Sequence, residues 1–307
     1  MKLLEYQAHE LFNRYGIPAA TGVVVTSKEE LKAKTEDPSS GIPLPAVAKA
    51  QVQTGGRGKA GGVKIAETRD ELIEKGSAIL DLVIKKLPVR RLFITNKVQV
   101  KQELYLSITL DRKEKLPVLI FSAEGGMEIN EIADKDPDKV VKIHIDPLQG
   151  IRSHMANYIL ERTGMGKQYG RDLLEIITKL YQLFIEYDCL LVEINPLIID
   201  GDDKLRALDG KIDVDDNALM RHEDIKTIRD ELTENPRVAE AREWDFLYIP
   251  IDETGNVGVV SNGSGMIMST IDLITKIGET VVCALDLGGG ATADRVKEAI
   301  RIVFSNT

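Results

Sequence analysis

The chain has 307 residues, 43% hydrophobic and 29% charged, the make-up of a globular protein with room for two domains and a substantial core. A formal net charge of −9 excludes a general nucleic-acid binder, which needs a basic footprint. No apolar run approaches membrane-spanning length, and the opening MKLLEYQAHELF becomes charged too soon for a signal peptide.

Along the N-terminal segment, Leu4, Ala8, Leu11, Phe12 and Tyr15 recur at helical spacing, and Gly16 with Pro18 ends that helix. Residues 22–26 form a short strand. Ser27 followed by Glu30 has the form of a capping box opening a second helix. Residues 41–45 form a loop, and 45–50 another strand carrying Lys49.

Next comes Gln53-Thr54-Gly55-Gly56-Arg57-Gly58-Lys59-Ala60-Gly61-Gly62. Glycines at this density expose backbone N–H groups, and Arg57 and Lys59 add positive charge, a chemistry suited to a polyphosphate. Gly56, Gly58 and Gly61 match GxGxxG, but that fingerprint requires a helix to follow. Val63-Lys64-Ile65 reads as a strand, and the Walker A pattern is absent. The segment is therefore either a mobile hairpin loop over phosphates, with Lys49 pointing at them from below, or a flexible surface turn.

Residues 69–86 pattern as an amphipathic helix, and residues 92–100, 104–110 and 117–122 as strands. Glu103 stands at the junction of the first two, where a connector could hold an adenosine. Glu124-Gly125-Gly126 closes the third, and 134–140 is charged and loop-like. Helices follow over 154–163 and 171–187. Cys189 and Cys283 stand singly in apolar runs without CxxC or metal spacing, as buried residues of a protein in a reducing cytoplasm.

Residues 190–212, LLVEINPLIIDGDDKLRALDGKI, are two strand-like runs around the turn Asp200-Gly201-Asp202-Asp203. Folded symmetrically about Asp202, the hairpin sets Ile199 against Leu205, Asn195 against Asp209 and Glu193 against Lys211. Alternation puts Glu193 and Asn195 on one face. One hard cation could then touch both Asn195 and Asp209. An amide oxygen and a carboxylate suit Mg²⁺, which keeps waters and takes further ligands from substrate phosphates. A polar hairpin end in solvent has the same pattern.

After Lys211 the texture changes. Residues 217–243 are charged and helical, interrupted at Asn235-Pro236, and partly bridge two domains. From Phe246 a strand–turn–helix pattern repeats, with strands at 257–261 and 281–285. Each strand ends in a glycine turn, Asn262-Gly263-Ser264-Gly265 and Gly288-Gly289-Gly290. That pattern begins a parallel α/β sheet, whose ligands collect at strand C-terminal ends. With only two such units before Thr307, the sequence is expected to be a fragment of a longer protein.

These residues together carry a resemblance. LxEYQAxELFxRYGIP, QVxxGGRGKAGGVK, KQELYL, EGGMEI, DPLQG, VEINPL, LDGK, NGSGM and DLGGGAT, in that order across essentially all 307 positions, resemble the β subunits of succinyl-CoA synthetase, the ATP-grasp subunits of a heteromeric ligase. The resemblance implies an α/β protein: an α+β ATP-grasp domain over 1–240, then the incomplete start of a flavodoxin-like CoA-ligase domain over 245–307. By position, Lys49, Gly56, Arg57 and Gly58 match the nucleotide phosphate binders. Glu103 matches the ribose contact, and Val98 lies near the backbone that reads the base. Asn195 and Asp209 match the Mg²⁺ ligands, Glu193 the acid that supports a phosphohistidine, and Asn262 a residue of the organic-acid site. Thr95 stands where the family usually has Glu, which leaves the choice between ATP and GTP open.

The family's reaction is a phosphoryl relay from nucleotide to succinate and histidine, with CoA completing the thioester. His9, His144, His154 and His222 lie on helices or charged segments without a glycine-loop setting. The resemblance therefore assigns the relay histidine and CoA binding to an α subunit, in an αβ or α2β2 assembly. A malate–CoA ligase β subunit would share nearly every motif. A carboxylase-like ATP-grasp enzyme would not explain the second domain, and a non-catalytic scaffold gives no reason to keep Lys49, Asn195 and Asp209 together.

Overall fold

The computed structural model describes residues 1–127, 129–231, 235–252 and 254–305. Glu128 of the EGGMEI block, residues 232–234 of the charged segment, Glu253, and Asn306 with Thr307 lie outside the described residues. The chain forms two compact units, Met1–Glu223 and Asp224–Thr307. The division expected near residues 240–245 thus falls earlier. The helix Pro236–Glu243, read as part of a bridge, packs on the strand Leu247–Pro250 of the second unit.

The first unit begins with α1 (Glu5–Arg14), β1 (Gly22–Val25), α2 (Lys28–Glu36), β2 (Ala46–Ala50), β3 (Val63–Ala66), α3 (Arg69–Leu80), the short pair β4 (Val83–Ile84) and β5 (Leu87–Pro88), and β6 (Leu92–Asn96). Strands β1, β6, β2 and β3 form, in that order, an antiparallel sheet. α2 starts where the Ser27 hydroxyl accepts from Glu30 N–H, while the Glu30 carboxylate reaches back to Thr26. Alternation along β2 and β6 decides what each face carries. Ala46, Ala48, Ala50, Leu92 and Ile94 pack with Leu31, Leu72 and Ile79 of α2 and α3. The opposite face carries Val47 and Lys49, which pair across the ladder with Thr95 and Phe93.

The helix expected over 69–86 stops at Leu80. Lys85 and Lys86 take left-handed φ values of 48° and 68°, so the chain reverses there in a two-residue hairpin turn. Asn-Gly is the usual signal for that turn, and two lysines conceal it.

The unit continues with β7 (Val100–Asp111), β8 (Leu116–Ser122), α4 (Ile129–Lys135), β9 (Val140–His144), α5 (Ser153–Thr163), α6 (Gly170–Glu186), β10 (Cys189–Asp200), β11 (Leu205–Ala207) and β12 (Gly210–Val214). The second sheet has the order β11-β10-β7-β8-β9, with β12 also pairing to β10, all antiparallel. α6 lays Leu173, Ile176, Ile177, Leu180, Leu183 and Phe184 inward at helical spacing. The stretch 134–140, expected as loop, holds the end of α4 and the start of β9. Glu103 lies inside β7 rather than at a strand junction, and the connector is residues 97–99.

The second unit contains most of α7 (Glu223–Glu231), then α8 (Pro236–Glu243), β13 (Leu247–Pro250), β14 (Val257–Ser261), α9 (Ser264–Lys276), β15 (Val281–Asp286) and α10 (Ala293–Phe304). β14 and β15 are parallel, and β13 adds an antiparallel edge on β15. α8 and α10 pack through Ala241, Ala299, Ile302 and Val303 on Phe246, Tyr248, Cys283 and Leu285. Ile267 of α9 joins Val259, Val281 and Ala284 in a second cluster. No helix among the described residues is long and apolar enough to cross a membrane.

Candidate functional site

The hairpin of β10, β11 and β12 has the register that symmetry about Asp202 predicts: Ile199 opposes Leu205, and Glu193 opposes Lys211. Asn195 therefore stands opposite Asp209, and its N–H donates to the Asp209 carbonyl at 3.3 Å. β10 shifts register against β7 between Ile194 and Leu197, so the two polar residues sit at an irregularity, where a strand re-aims its side chains.

Lys49, on the face of β2 turned away from α2 and α3, is buried, and its Nζ donates to Glu5 Oε1 in α1 at 2.6 Å and to the Leu208 carbonyl at 2.9 Å. The glycine-rich segment is the loop between β2 and β3. It folds on itself through Ala60 N–H to Gly56 O and Gly62 N–H to Arg57 O, with Gly56 at φ 82°. Arg57 leaves the loop and spans two carboxylates. Nη1 donates to Glu5 Oε2 at 2.6 Å and Nη2 to Asp209 Oδ2 at 2.7 Å. The other oxygen of Asp209 accepts from Gly210 N–H at 2.8 Å.

Four charged side chains thus form one connected cluster, two cations and two carboxylates. Burial pushes the Glu5 carboxyl up, but the charges of Lys49 and Arg57 outweigh it and hold the group well below the ordinary carboxylate range. Burial and the charge of Glu5 push Asp209 the other way, above its ordinary range, against Arg57 and Lys49. The Asp209 side chain still keeps 35% of its surface exposed, whereas that of Glu5 keeps 1%. The cluster is closed on the α1 side and open on the hairpin side.

The Asn195 amide is held from the other direction. Its Oδ1 accepts from Gly126 N–H at 2.9 Å, and its Nδ2 donates to the Met127 carbonyl at 3.0 Å. Gly126 has φ 73°, and a Cβ there would collide with the Glu103 carboxylate, so Asn195 and Glu103 meet at one glycine. Glu193 is half-buried and accepts from the Tyr105 hydroxyl at 3.2 Å. Thr95 is buried on the Lys49 face of β6, and half-buried Val98 lies in the connector that runs to β7.

Residues 2–199 match the family described as the ATP-grasp domain. A succinate–CoA ligase (GDP-forming) β subunit from Thermus thermophilus is 40% identical over 306 residues, covering all of this chain and 79% of the relative. An ADP-forming counterpart from Ignicoccus hospitalis is 41% identical over 307 residues, again 79% of its length. The chain belongs to the ATP-grasp β subunits of succinate–CoA ligase. This β-subunit chain also superposes on the structure of ATP citrate lyase from Methanothrix soehngenii in complex with citrate and coenzyme A. The TM-score is 0.73 at 21% identity, over 99% of this chain and 76% of that one, a likeness of fold.

In the second unit Asn262 is exposed at the C-terminal end of β14. The turn that carries it is pinned by Asp286, which accepts from Gly263 N–H at 2.8 Å, Gly288 N–H at 2.9 Å and the Ser264 hydroxyl at 3.1 Å. Asn262 and the Lys49–Asp209 cluster are thus features of separate units.

Sequence reasoning missed Glu5 and the Gly125-Gly126-Met127 segment. Glu5 reads as an ordinary acid in a helix's first turn. Two adjacent glycines after a strand were the available signal for the second, because Gly125 lies directly on the Leu104 backbone, an approach no side chain permits.

Proposed function

We propose that this chain is the nucleotide-binding subunit of an acid–CoA ligase. It would couple succinate, CoA and ATP or GTP to succinyl-CoA, ADP or GDP, and phosphate. Its partner would be an α subunit that carries the phosphohistidine and the CoA site. The observation that supports this most is the convergence of Lys49 and Arg57, one from a strand and one from the glycine loop, on the hairpin end where Asp209 faces Asn195.

In this reading Lys49, Gly56, Arg57 and Gly58 bind the nucleotide phosphates by charge and exposed N–H groups. Glu103 holds the ribose, and Thr95 and Val98 border the base. Asn195 and Asp209 offer Mg²⁺ an amide and a carboxylate oxygen, a hard donor pair that leaves room for waters and phosphates. Bound there, the ion would neutralise charge on the transferred phosphoryl group. Glu193, steadied by Tyr105, would orient the incoming histidine, and Asn262 would touch the organic acid. The chain's own histidines are otherwise engaged or poorly placed. His9 is buried, and His144 and His222 lie against Asp111 and Asp188 at 2.9 and 2.8 Å. His154 is on α5.

The test is to follow CoA-thioester formation by the chain with and without a co-expressed α partner, from succinate and malate, with ATP and GTP. Thioester is expected only with the partner and from succinate, and Asp209→Ala should abolish turnover while leaving the fold intact. Thioester formation by the chain alone would overturn the assignment.

A further inference from the structure

Arg57 does more than add positive charge near a phosphate. Its two terminal nitrogens hold different acids: Nη1 bonds Glu5, which is closed from solvent, and Nη2 bonds Asp209, which is open. We infer that Arg57 is a gate on the Asp209 carboxylate: it occupies the cation's place until a nucleotide phosphate draws the Nη2 end away, so that free divalent metal is refused and metal is admitted only with nucleotide. The inference rests on the reading of Asn195 and Asp209 as the metal ligands.

Charge balance carries the argument. Among the described residues, the two acids Glu5 and Asp209 balance the two cations Lys49 and Arg57. Lys85, at the tip of the β4–β5 hairpin, brings another ammonium beside Gly56 of the same loop. A bare Mg²⁺ at Asp209 would add two positive charges to this setting with the guanidinium already 2.7 Å from the carboxylate. Repulsion at such range, in a partly water-excluded pocket, is strong. A metal–nucleoside triphosphate instead arrives with net negative charge. Its phosphate oxygens can take the Nη2 donors in charge-assisted hydrogen bonds, and Asp209 Oδ2 is then free for the ion. The Nη1 bond to Glu5 need not break, so a pivot of the guanidinium suffices.

The experiment is Mn²⁺ binding to the nucleotide-free chain, read by loss of the free-ion electron paramagnetic resonance signal. The unaltered chain should show no Mn²⁺ site at Asp209 without nucleotide. Arg57→Gln should bind Mn²⁺ at least about tenfold more tightly than the unaltered chain, and Asp209→Asn in that background should remove the gain. Arg57→Lys, which keeps a charge in the loop, should gain a smaller part. Equal Mn²⁺ binding by the unaltered chain and Arg57→Gln would overturn the gate. So would a tight site in the unaltered chain alone, whether or not Arg57→Gln folds. Repeating the titration with ADP separates the two readings. If Asp209→Asn leaves Mn–ADP binding intact, the metal site itself is misassigned. If it removes that binding while Arg57→Gln gains nothing without nucleotide, the gate alone fails.

Discussion

Two buried carboxylates, one in each unit, are stabilised in different ways. Asp286, between the two glycine turns of the second unit, is held below its ordinary carboxylate range first by Gly288 N–H, with Gly263 N–H and the Ser264 hydroxyl adding to it. Glu5, in the first unit, is held down by the charges of Lys49 and Arg57 against a burial penalty. Backbone donors cannot leave without unfolding their turns. Side-chain cations can pivot, and one of them sits on a glycine-rich loop. Asp286 is therefore a staple, whereas Glu5 is held by side chains, and under the proposed gate one of them, Arg57, would exchange its other partner for a ligand. If the proposed function holds, a cluster that would accept and release a polyphosphate needs the second kind of carboxylate, and the turn that carries Asn262 has the first.

The largest effect should come from removing the acid that both cations share. Glu5→Ala leaves Lys49 and the Nη1 end of Arg57 buried without their counter-charge. The expected loss is about 3–5 kcal/mol of stability, read as a lowered urea midpoint by far-ultraviolet circular dichroism. Glu5→Gln, which keeps one accepting oxygen and fills the same space, should lose less. A loss below about 1 kcal/mol for Glu5→Ala, the size of an exposed pair, would mean that the cations find water and that the two carboxylates are not so different after all.

Most of this contrast could not be read from the sequence, for identifiable reasons. The hairpin could be read because its geometry is local: Asp200-Gly201-Asp202-Asp203 sets the turn, and period-two counting then places Asn195 opposite Asp209. The helical spacing of Leu4, Ala8, Leu11 and Phe12, all buried in the fold, could be read in the same way. Glu5 could not be found like that, since its partners lie 44 and 52 positions away and nothing in α1 distinguishes it from a first-turn acid. β9 was hidden because it lies at the sheet edge with Lys142 and His144 exposed, which imitates a charged loop. The β4–β5 turn was hidden because lysines occupy positions where glycine or asparagine would announce it.

The next effect is a pH dependence that belongs to the first unit. Burial is the main reason that His9 is depressed from 6.5 to about 4, and Glu5 opposes it. Its Nδ1 lies 3.1 Å from the Ala20 carbonyl. The folded chain keeps the imidazole neutral, while the unfolded chain binds a proton below its ordinary pKa. The His9 contribution to stability should therefore be lost as pH drops from about 6.5 toward 4, by up to about 3 kcal/mol, while the raised Asp209 carboxyl works in the opposite direction over the lower part of that window. His9→Asn should remove that loss, so that the urea midpoint of the variant falls less with acid than that of the unaltered chain. An unchanged slope would show that His9 charges inside the fold, beside Glu5, and that the cluster tolerates a third cation.

A smaller effect is expected where the proposed nucleotide and metal residues meet. Gly126→Ala places a side chain at φ 73° and against the Glu103 carboxylate, at a cost of about 1–2 kcal/mol. Because Gly126 N–H also holds Asn195, Mg–ADP affinity measured by calorimetry should fall by more than stability does. Equal losses would mean that the glycine serves packing alone.

The smallest effect should come from the staple itself, and it sharpens the contrast most. Asp286→Asn removes the charge but keeps one oxygen able to accept from Gly263 or Gly288 N–H. The loss should be about 1 kcal/mol, the difference between a charge-assisted and a neutral hydrogen bond. The protein's single tryptophan, Trp244, stacks on Phe246 within the second unit's core, so its fluorescence reports that unit directly. The midpoint of the Trp244 signal should shift in Asp286→Asn while Mg–ADP affinity stays as in the unaltered chain, since the nucleotide cluster lies wholly within the first unit. If nucleotide affinity moved as well, Asp286 would have to be counted with the exchangeable carboxylates, and its backbone partners would no longer explain what it does.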